Sequence, residues 1–212
     1  MGATRSPLSS ASLNSEANPR RLTVLAGPTA VGKGAVAAEI RAHHNDVWIS
    51  VSVTTRPPRR GEVDGVHYWF VDDETFDKLV ADGEMLEWAV VHQRARYGTR
   101  RRPVEAALRL QKLALLEIDL QGARQVRQTM PDAFFVFLKP PSWEELTRRL
   151  VGRRTETDEE QARRLETAVH ELAAESEFDA VIVNHEVSAA AEQLVTLMRN
   201  DSQATRIARP IY

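Results

Sequence analysis

Residues 27–34, Gly-Pro-Thr-Ala-Val-Gly-Lys-Gly, meet seven of the eight positions of the phosphate-binding pattern G-x-x-x-x-G-K-[ST]. Gly27 and Gly32 let consecutive backbone N–H groups turn inward on an anion. The loop between them is Pro28, Thr29, Ala30 and Val31, and Lys33 adds a cation beside the β and γ phosphates of a nucleotide. The last position departs: Gly34 stands where a magnesium-binding hydroxyl is usual, and Ala35 brings none. A second store of positive charge is Arg56, Arg59 and Arg60 in TTRPPRRGE, where Pro57 and Pro58 stiffen the backbone and hold the guanidinium groups apart at low entropic cost. Arginine grips phosphate bidentately. Phosphoryl transfer between two anions needs such charge to bring them together and hydrogen bonds to aim them. It needs no strong base when the acceptor is already a phosphate.

These side chains require a frame. The apolar run Leu22–Ala26 before the loop and the helix-period stretch Ala35–Ile40 after it read as strand, glycine turn and helix, with the helix's positive end aimed at the bound anion. Apolar β-type runs at 22–26, 47–53, 113–118, 134–138 and 179–183 alternate with helical patterns at about 33–43, 103–111, 121–129, 142–151, 158–176 and 187–199. Ser142 is placed to cap the fourth of these. The alternation predicts an α/β fold, a three-layer sandwich with a parallel central sheet, and leaves the strand order open. Between 56 and 100 the rhythm changes to short runs, His67–Val71 and Glu84–Val91, around one short helix after Asp72-Asp73, which predicts a small inserted lobe. A charged Gly/Thr segment at 152–157 interrupts two helical patterns and suits a lid. Ligands of such sheets bind at the carboxyl ends of the strands, where both insertions should lie. Glu117 and Asp119 close the run LALLEID at i and i+2, so both side chains should leave one face of a strand beside the loop.

The remaining composition narrows the class. A chain of 212 residues fits one domain with a full core, here 21–199, between tails at 1–20 and 200–212. The N-terminal 20 residues hold no apolar core segment and read as a disordered tail, although Met1-Gly2 with Ser6 fits the short myristoylation pattern. A net charge of −2 offers no global field for nucleic acid or an anionic membrane. With no cysteine, disulfides and thiolate chemistry are excluded, which suits a reducing compartment, and the six histidines show no metal-ligand spacing. No run approaches about 18 apolar residues, so the expectation is a soluble, cytoplasmic protein without structural metal.

Ser52, Thr54-Thr55-Arg56, Pro58-Arg59, Gly61-Glu62, Gly65 and Tyr68, then Glu87-Trp88, Tyr97-Gly98-Thr99 and Asp119-x-Gln121-Gly122, closely resemble the guanylate kinase family in order and spacing, from about Arg21 to Leu197. The resemblance implies a nucleoside monophosphate kinase with a core (21–55 and 101–199), a GMP-binding lobe (about 56–100) and a lid (about 152–160), which converts ATP and GMP to ADP and GDP. It places Arg56, Arg59, Tyr68 and Tyr97 on the GMP phosphate and Ser52, Glu87 and Thr99 on guanine, with Glu62 and Asp119 in the same site. A carboxylate at Glu87 can accept from guanine N1–H and the 2-amino group, which adenine lacks, so AMP would leave it buried and unpaired. Arg149, Arg153 and Arg164 match lid and catalytic arginines, Arg154 replaces the family's usual glycine, and Asn184 matches a residue near the adenine of ATP. Mg²⁺ is implied as ATP's companion with no direct protein ligand, Asp119 reaching its water shell. Glu117 stands where the family often has Asp. The substrates implied are ATP with GMP or dGMP, without nucleic acid or membrane.

Two other readings compete. One is a guanylate-kinase-like module that binds a phosphorylated partner without turnover, against which Lys33 and the full set of GMP-reading residues argue. The other is an AMP- or UMP-directed kinase, against which Glu87 and Ser52 argue.

Overall fold

The computed structural model describes residues 21–91, 95–151 and 158–201. Five strands form one parallel sheet: β1 (Thr23–Ala26), β2 (Val47–Ile49), β7 (Leu113–Glu117), β8 (Phe134–Lys139) and β9 (Ala180–Val183), in the order β2-β7-β1-β8-β9. The apolar runs of β1, β7 and β8 are continuous because both of their faces are covered, whereas the edge strand β9 leaves Val181 and Val183 exposed. Leu22, Val24 and Ala26 join Ala114, Leu116, Phe135 and Phe137 in one core. Their alternates Leu25, Leu113, Leu115, Val136 and Leu138 join the other. Helices α3 (Arg101–Arg109) and α4 (Leu120–Thr129) cover the first face, through Val104, Ala107, Ala123 and Val126. The second face is covered by α1 (Lys33–His43) and α7 (Val187–Asp201), through Val36, Ile40, Leu194 and Met198. The phosphate loop leaves the carboxyl end of the central strand, β1, which pairs with β7 on one side and β8 on the other.

The predicted strand 47–53 divides. Val47–Ile49 pairs with β7, Ser50 N–H donates to Leu115 O at 3.0 Å, and the chain then turns away, so that Val53–Thr54 forms β3 of a second sheet. That sheet has the order β4-β3-β6-β5, with β4 (Trp69–Phe70), β5 (Met85–Val91) and β6 (Ala95–Arg100). Helix α2 (Asp73–Ala81) packs Phe76 beneath it against Met85 and Val53, and the Asp72 side chain caps it by accepting from Thr75 N–H. Strand β6 was not anticipated from the polar string ARYGTR, yet it pairs with both β3 and β5. The remaining helices, α5 (Trp143–Val151) and α6 (Asp158–Ala173) followed by a 3-10 turn (Ala174–Glu177), pack on each other through Leu146, Leu150 and Ala168. Ser142 Oγ accepts from Glu145 N–H at 3.2 Å at the start of α5. Helix α7 continues through Asp201, where the sequence suggested a tail from 200. The expected N-terminal tail, residues 202–212 and the lid segment 152–157 lie outside the described residues.

Candidate active site

The loop between β1 and α1 is fastened from several directions. Gly32 caps α1 with φ of +102°, and a Cβ there would lie 2.7 Å from Asn184 Nδ2, so a glycine is required on both counts. Val31 N–H donates to Pro28 O at 3.2 Å, while Val31 O accepts from the buried Asn184 Nδ2 at 2.9 Å and from Arg149 Nη1 at 3.2 Å. Arg149 is steered by Glu145, which accepts from its Nε at 2.9 Å. The Lys33 ammonium folds back over the loop, donating to Gly27 O at 2.7 Å and Pro28 O at 3.1 Å. A Cβ at Gly34 would meet nothing nearer than Glu117 Oε2 at 3.9 Å, so the missing side chain leaves room rather than filling a steric need.

The arginine loop is ordered by one carboxylate. Arg56 donates to both oxygens of Glu62 at 2.9 Å, to Pro57 O at 2.8 Å and to the Tyr97 hydroxyl at 3.1 Å, with its guanidinium 5.2 Å from the Tyr68 ring centre. Glu62 also accepts from Arg59 N–H at 2.7 Å. The hydrogen bonds from Arg56 hold its carboxyl down at about 2, against some opposition from burial. Arg56 and Glu62 form a pair that shapes the loop from behind the cavity wall, which Arg59, Tyr68 and Tyr97 line. Burial, reinforced by the negative charge of Glu117, raises the Tyr68 hydroxyl above its ordinary range.

Strands β5 and β6 put Glu87 and Thr99 opposite each other, so both side chains leave one face of the second sheet. Glu87 is 4% exposed and Thr99 fully buried. The Thr99 hydroxyl reaches no well-aligned hydrogen-bond partner among the described residues. Burial pushes the Glu87 carboxyl up to about 7, the Asp119 carboxylate adding to the effect and neighbouring Thr99 opposing it. Behind Glu87 lies Gly122 in the first turn of α4, where a Cβ would come within 2.4 Å of Glu87 Oε2. Gln125, one turn further on, clamps the backbone beside Glu87: its Nε2 donates to Trp88 O at 2.6 Å and its Oε1 accepts from Trp88 N–H at 3.1 Å.

Asp119 departs from the expected geometry. Strand β7 ends at Glu117, and Asp119 is the N-cap of α4, accepting from Gly122 N–H at 2.7 Å. It comes to the site as the still-extended residue that starts α4, two positions past the end of β7. Glu117 itself is drawn in beside the loop, where burial raises its carboxyl and Lys33 and Arg41 partly offset this. Neither side chain is a solvated strand end.

A single cavity of about 520 Å³ unites these parts, lined among others by Thr29, Lys33, Gly34, Ser52, Arg59, Tyr68, Glu87, Tyr97, Glu117 and Asp119. The phosphate loop, the arginine loop and the buried carboxylate thus share one chamber, though they come from three distant parts of the chain. Arg164 lies half-buried on α6, and Arg153 and Arg154 are outside the described residues. Sequence reasoning gave no role to Gln125, whose amide resembles any polar helix residue, and no physical reason for Gly122. Among the described residues no group of three or more His, Asp or Glu side chains is spaced to hold a metal, and no helix is long and apolar enough to cross a membrane.

The chain is similar to known proteins over nearly all of this frame. The guanylate kinase family model matches residues 19–201. A guanylate kinase of Thermobifida fusca is 60% identical over 180 residues, covering 85% of this chain and 91% of that protein. One of Bifidobacterium longum is 57% identical over 185 residues, covering 85% and 94%. The crystal structure of guanylate kinase from Anaplasma phagocytophilum superposes with a TM-score of 0.74 at 33% identity, covering 89% of each chain. With its phosphate loop, paired sheets and buried carboxylate in one chamber, the chain belongs to the guanylate kinase family.

Proposed function

We infer that the chain transfers the γ-phosphoryl group of ATP to GMP, giving ADP and GDP, and that it accepts dGMP as well. The observation that carries this reading is the shared chamber, which is lined both by the phosphate loop at Thr29, Lys33 and Gly34 and by the buried carboxylate of Glu87. Residues 27–34 hold the triphosphate, Lys33 neutralises it, and Asn184 stands toward the adenine. Arg56, Arg59, Tyr68 and Tyr97 hold the GMP phosphate. The family resemblance supports these roles, as does the way Glu62 holds the fork of Arg56, which lowers the ordering cost of binding. Residues 56–100 act as the GMP lobe and about 152–160 as the lid, which brings Arg149, Arg153 and Arg164 onto the transferring group.

Guanine is read by Ser52, Glu87 and Thr99. An ionised Glu87 accepts from N1–H and the 2-amino group, with the buried Thr99 hydroxyl beside it as a further polar contact for the base. Mg²⁺ accompanies ATP and neutralises phosphate charge when bound. The donor set fits an outer-sphere role, because Glu117 and Asp119 present hard oxygens to the cavity beside the open space at Gly34 and Mg²⁺ retains its waters readily. A reaction fed by ATP and GMP belongs in the cytoplasm. A coupled assay of ADP release with GMP, dGMP, AMP and UMP tests the reading: turnover confined to GMP and dGMP supports it, and turnover with AMP or UMP at comparable efficiency overturns it.

A further inference from the structure

Thr29 and Glu171 are 142 positions apart and joined by a short hydrogen bond, Thr29 N–H to Glu171 Oε2 at 2.7 Å, with a longer one from the Thr29 hydroxyl to Oε1 at 3.4 Å. The backbone amides of a phosphate loop are its anion-binding groups, and here a protein carboxylate on α6 takes one of them. The next residue, Ala30, has φ of +66°, a left-handed conformation that a residue with a Cβ rarely adopts and that persists only where its surroundings impose it. Those surroundings are visible. The Ala30 methyl packs on the α5–α6 cluster of Leu146, Leu150 and Ala168, with Leu165 and Leu172. On its far side, Val31 is fully buried with its carbonyl held by Asn184 and Arg149. On its near side, Lys33 holds Gly27 O and Pro28 O from within the loop, and Glu171 holds Thr29 from outside it.

We propose that Glu171 is a positioning residue for ATP, which holds the strained Thr29–Ala30 turn of the phosphate loop from outside and so presets the inward curl of the residues that follow. Glu171 does not line the cavity, whereas Thr29 and Ala30 do, so it acts through them and not on the nucleotide. The inference rests on residues 27–34 being the ATP site. A loop preset in its bound shape costs less to order around the triphosphate, so losing the anchor raises the KM for ATP and leaves GMP recognition, on the other sheet, unchanged.

Steady-state kinetics on full-length Glu171→Ala, Glu171→Gln and Lys33→Ala test this. Glu171→Ala is expected to lower kcat/KM for ATP by about tenfold or more, while KM for GMP stays within about threefold. Glu171→Gln, which keeps an oxygen acceptor for the Thr29 N–H, recovers activity to within about threefold of wild type. Because glycine enters the left-handed region freely, Ala30→Gly in the Glu171→Ala background restores part of the lost ATP efficiency, a coupling that general destabilisation would not produce. Unchanged ATP efficiency in Glu171→Ala, equal losses toward ATP and GMP, or no recovery in Glu171→Gln would overturn the proposal. Should Glu171→Ala not fold, Glu171→Met, which keeps most of the side-chain volume but offers no oxygen acceptor to the Thr29 N–H, carries the same test and the same coupling with Ala30→Gly. If Lys33→Ala also leaves ATP efficiency intact, the failure lies in the reading of the loop; if Lys33→Ala is inactive and Glu171→Ala unimpaired, only the role of Glu171 fails.

Discussion

Glu87 stands directly across from Thr99 in the β5–β6 ladder, a buried carboxylate beside a buried hydroxyl that has no well-aligned partner among the described residues. A carboxylate raised to about 7 from its ordinary 4.5 has a definite pH signature. Only the ionised form accepts from guanine N1–H and the 2-amino group, so KM for GMP is expected to rise as pH falls below about 7, approaching tenfold per unit. The Glu87→Gln variant should lack this slope, which separates it from the titration of the GMP phosphate. The stability effect has the opposite sense. The folded form holds its proton more tightly than the unfolded form, so this contribution is complete below about 4.5 and lost as pH rises through about 7. Melting curves should therefore show Glu87→Gln above wild type at pH 8 and close to it at pH 5.

Gly122 is the floor under that carboxylate. A methyl placed there would lie 2.4 Å from Glu87 Oε2 and 3.4 Å from Asp119 Oδ1, so Gly122→Ala must displace one of them. The expected result is a loss of about tenfold or more in kcat/KM for GMP with KM for ATP nearly unchanged, measured at saturating co-substrate.

Glu62 fixes the fork of Arg56 without lining the cavity. Glu62→Gln keeps the shape and removes the charge, freeing Arg56 to sample other rotamers. KM for GMP should rise by about three- to tenfold with a smaller change for ATP, and an equal change in both would remove Glu62 from the GMP site.

The frame of the main sheet was largely legible because its signals are local. Leu22–Ala26 before a glycine turn and Lys33–His43 after it announce themselves by apolar period and spacing. The second sheet was not, since β3 and β4 are two residues each and β6 is mostly polar, so their strand character comes from pairing across long sequence distances. Val47–Val53 reads as one strand because five of its seven residues are apolar and β-favouring, and two serines alone do not mark a turn after Ser50. Asp119 lines the cavity with Glu117 as the i, i+2 spacing predicts, but as the extended cap that starts α4 and not as a residue of β7. Gln125 and Glu171 were invisible because a clamp on Trp88 or Thr29 exists only once the helices are packed.

The departure at Gly34 should be tolerated. Its Cβ position is open apart from an ordinary contact with Glu117 Oε2 at 3.9 Å, so the Cβ of Gly34→Ser meets no clash. With charge neutralisation assigned to Lys33 and the arginines, Gly34→Ser is expected to change kcat by less than about tenfold, whereas Lys33→Ala should lower it by about 10²-fold or more. Saturating Mg-ATP and GMP make the comparison. A wild-type chain with no turnover, rescued by Gly34→Ser, would show that the hydroxyl is needed and that the chain is a binding module.

Under the proposed function, the phosphate loop and the buried carboxylate serve one reaction in one chamber and Glu87 chooses the base. Initial rates of nucleoside diphosphate formation with GMP and with AMP, for wild type and Glu87→Gln, test it most directly. Wild type should prefer GMP strongly, and Glu87→Gln should narrow that preference by about 10²-fold or more through loss of GMP efficiency. Equal losses on GMP and AMP, or an unchanged preference, would contradict it.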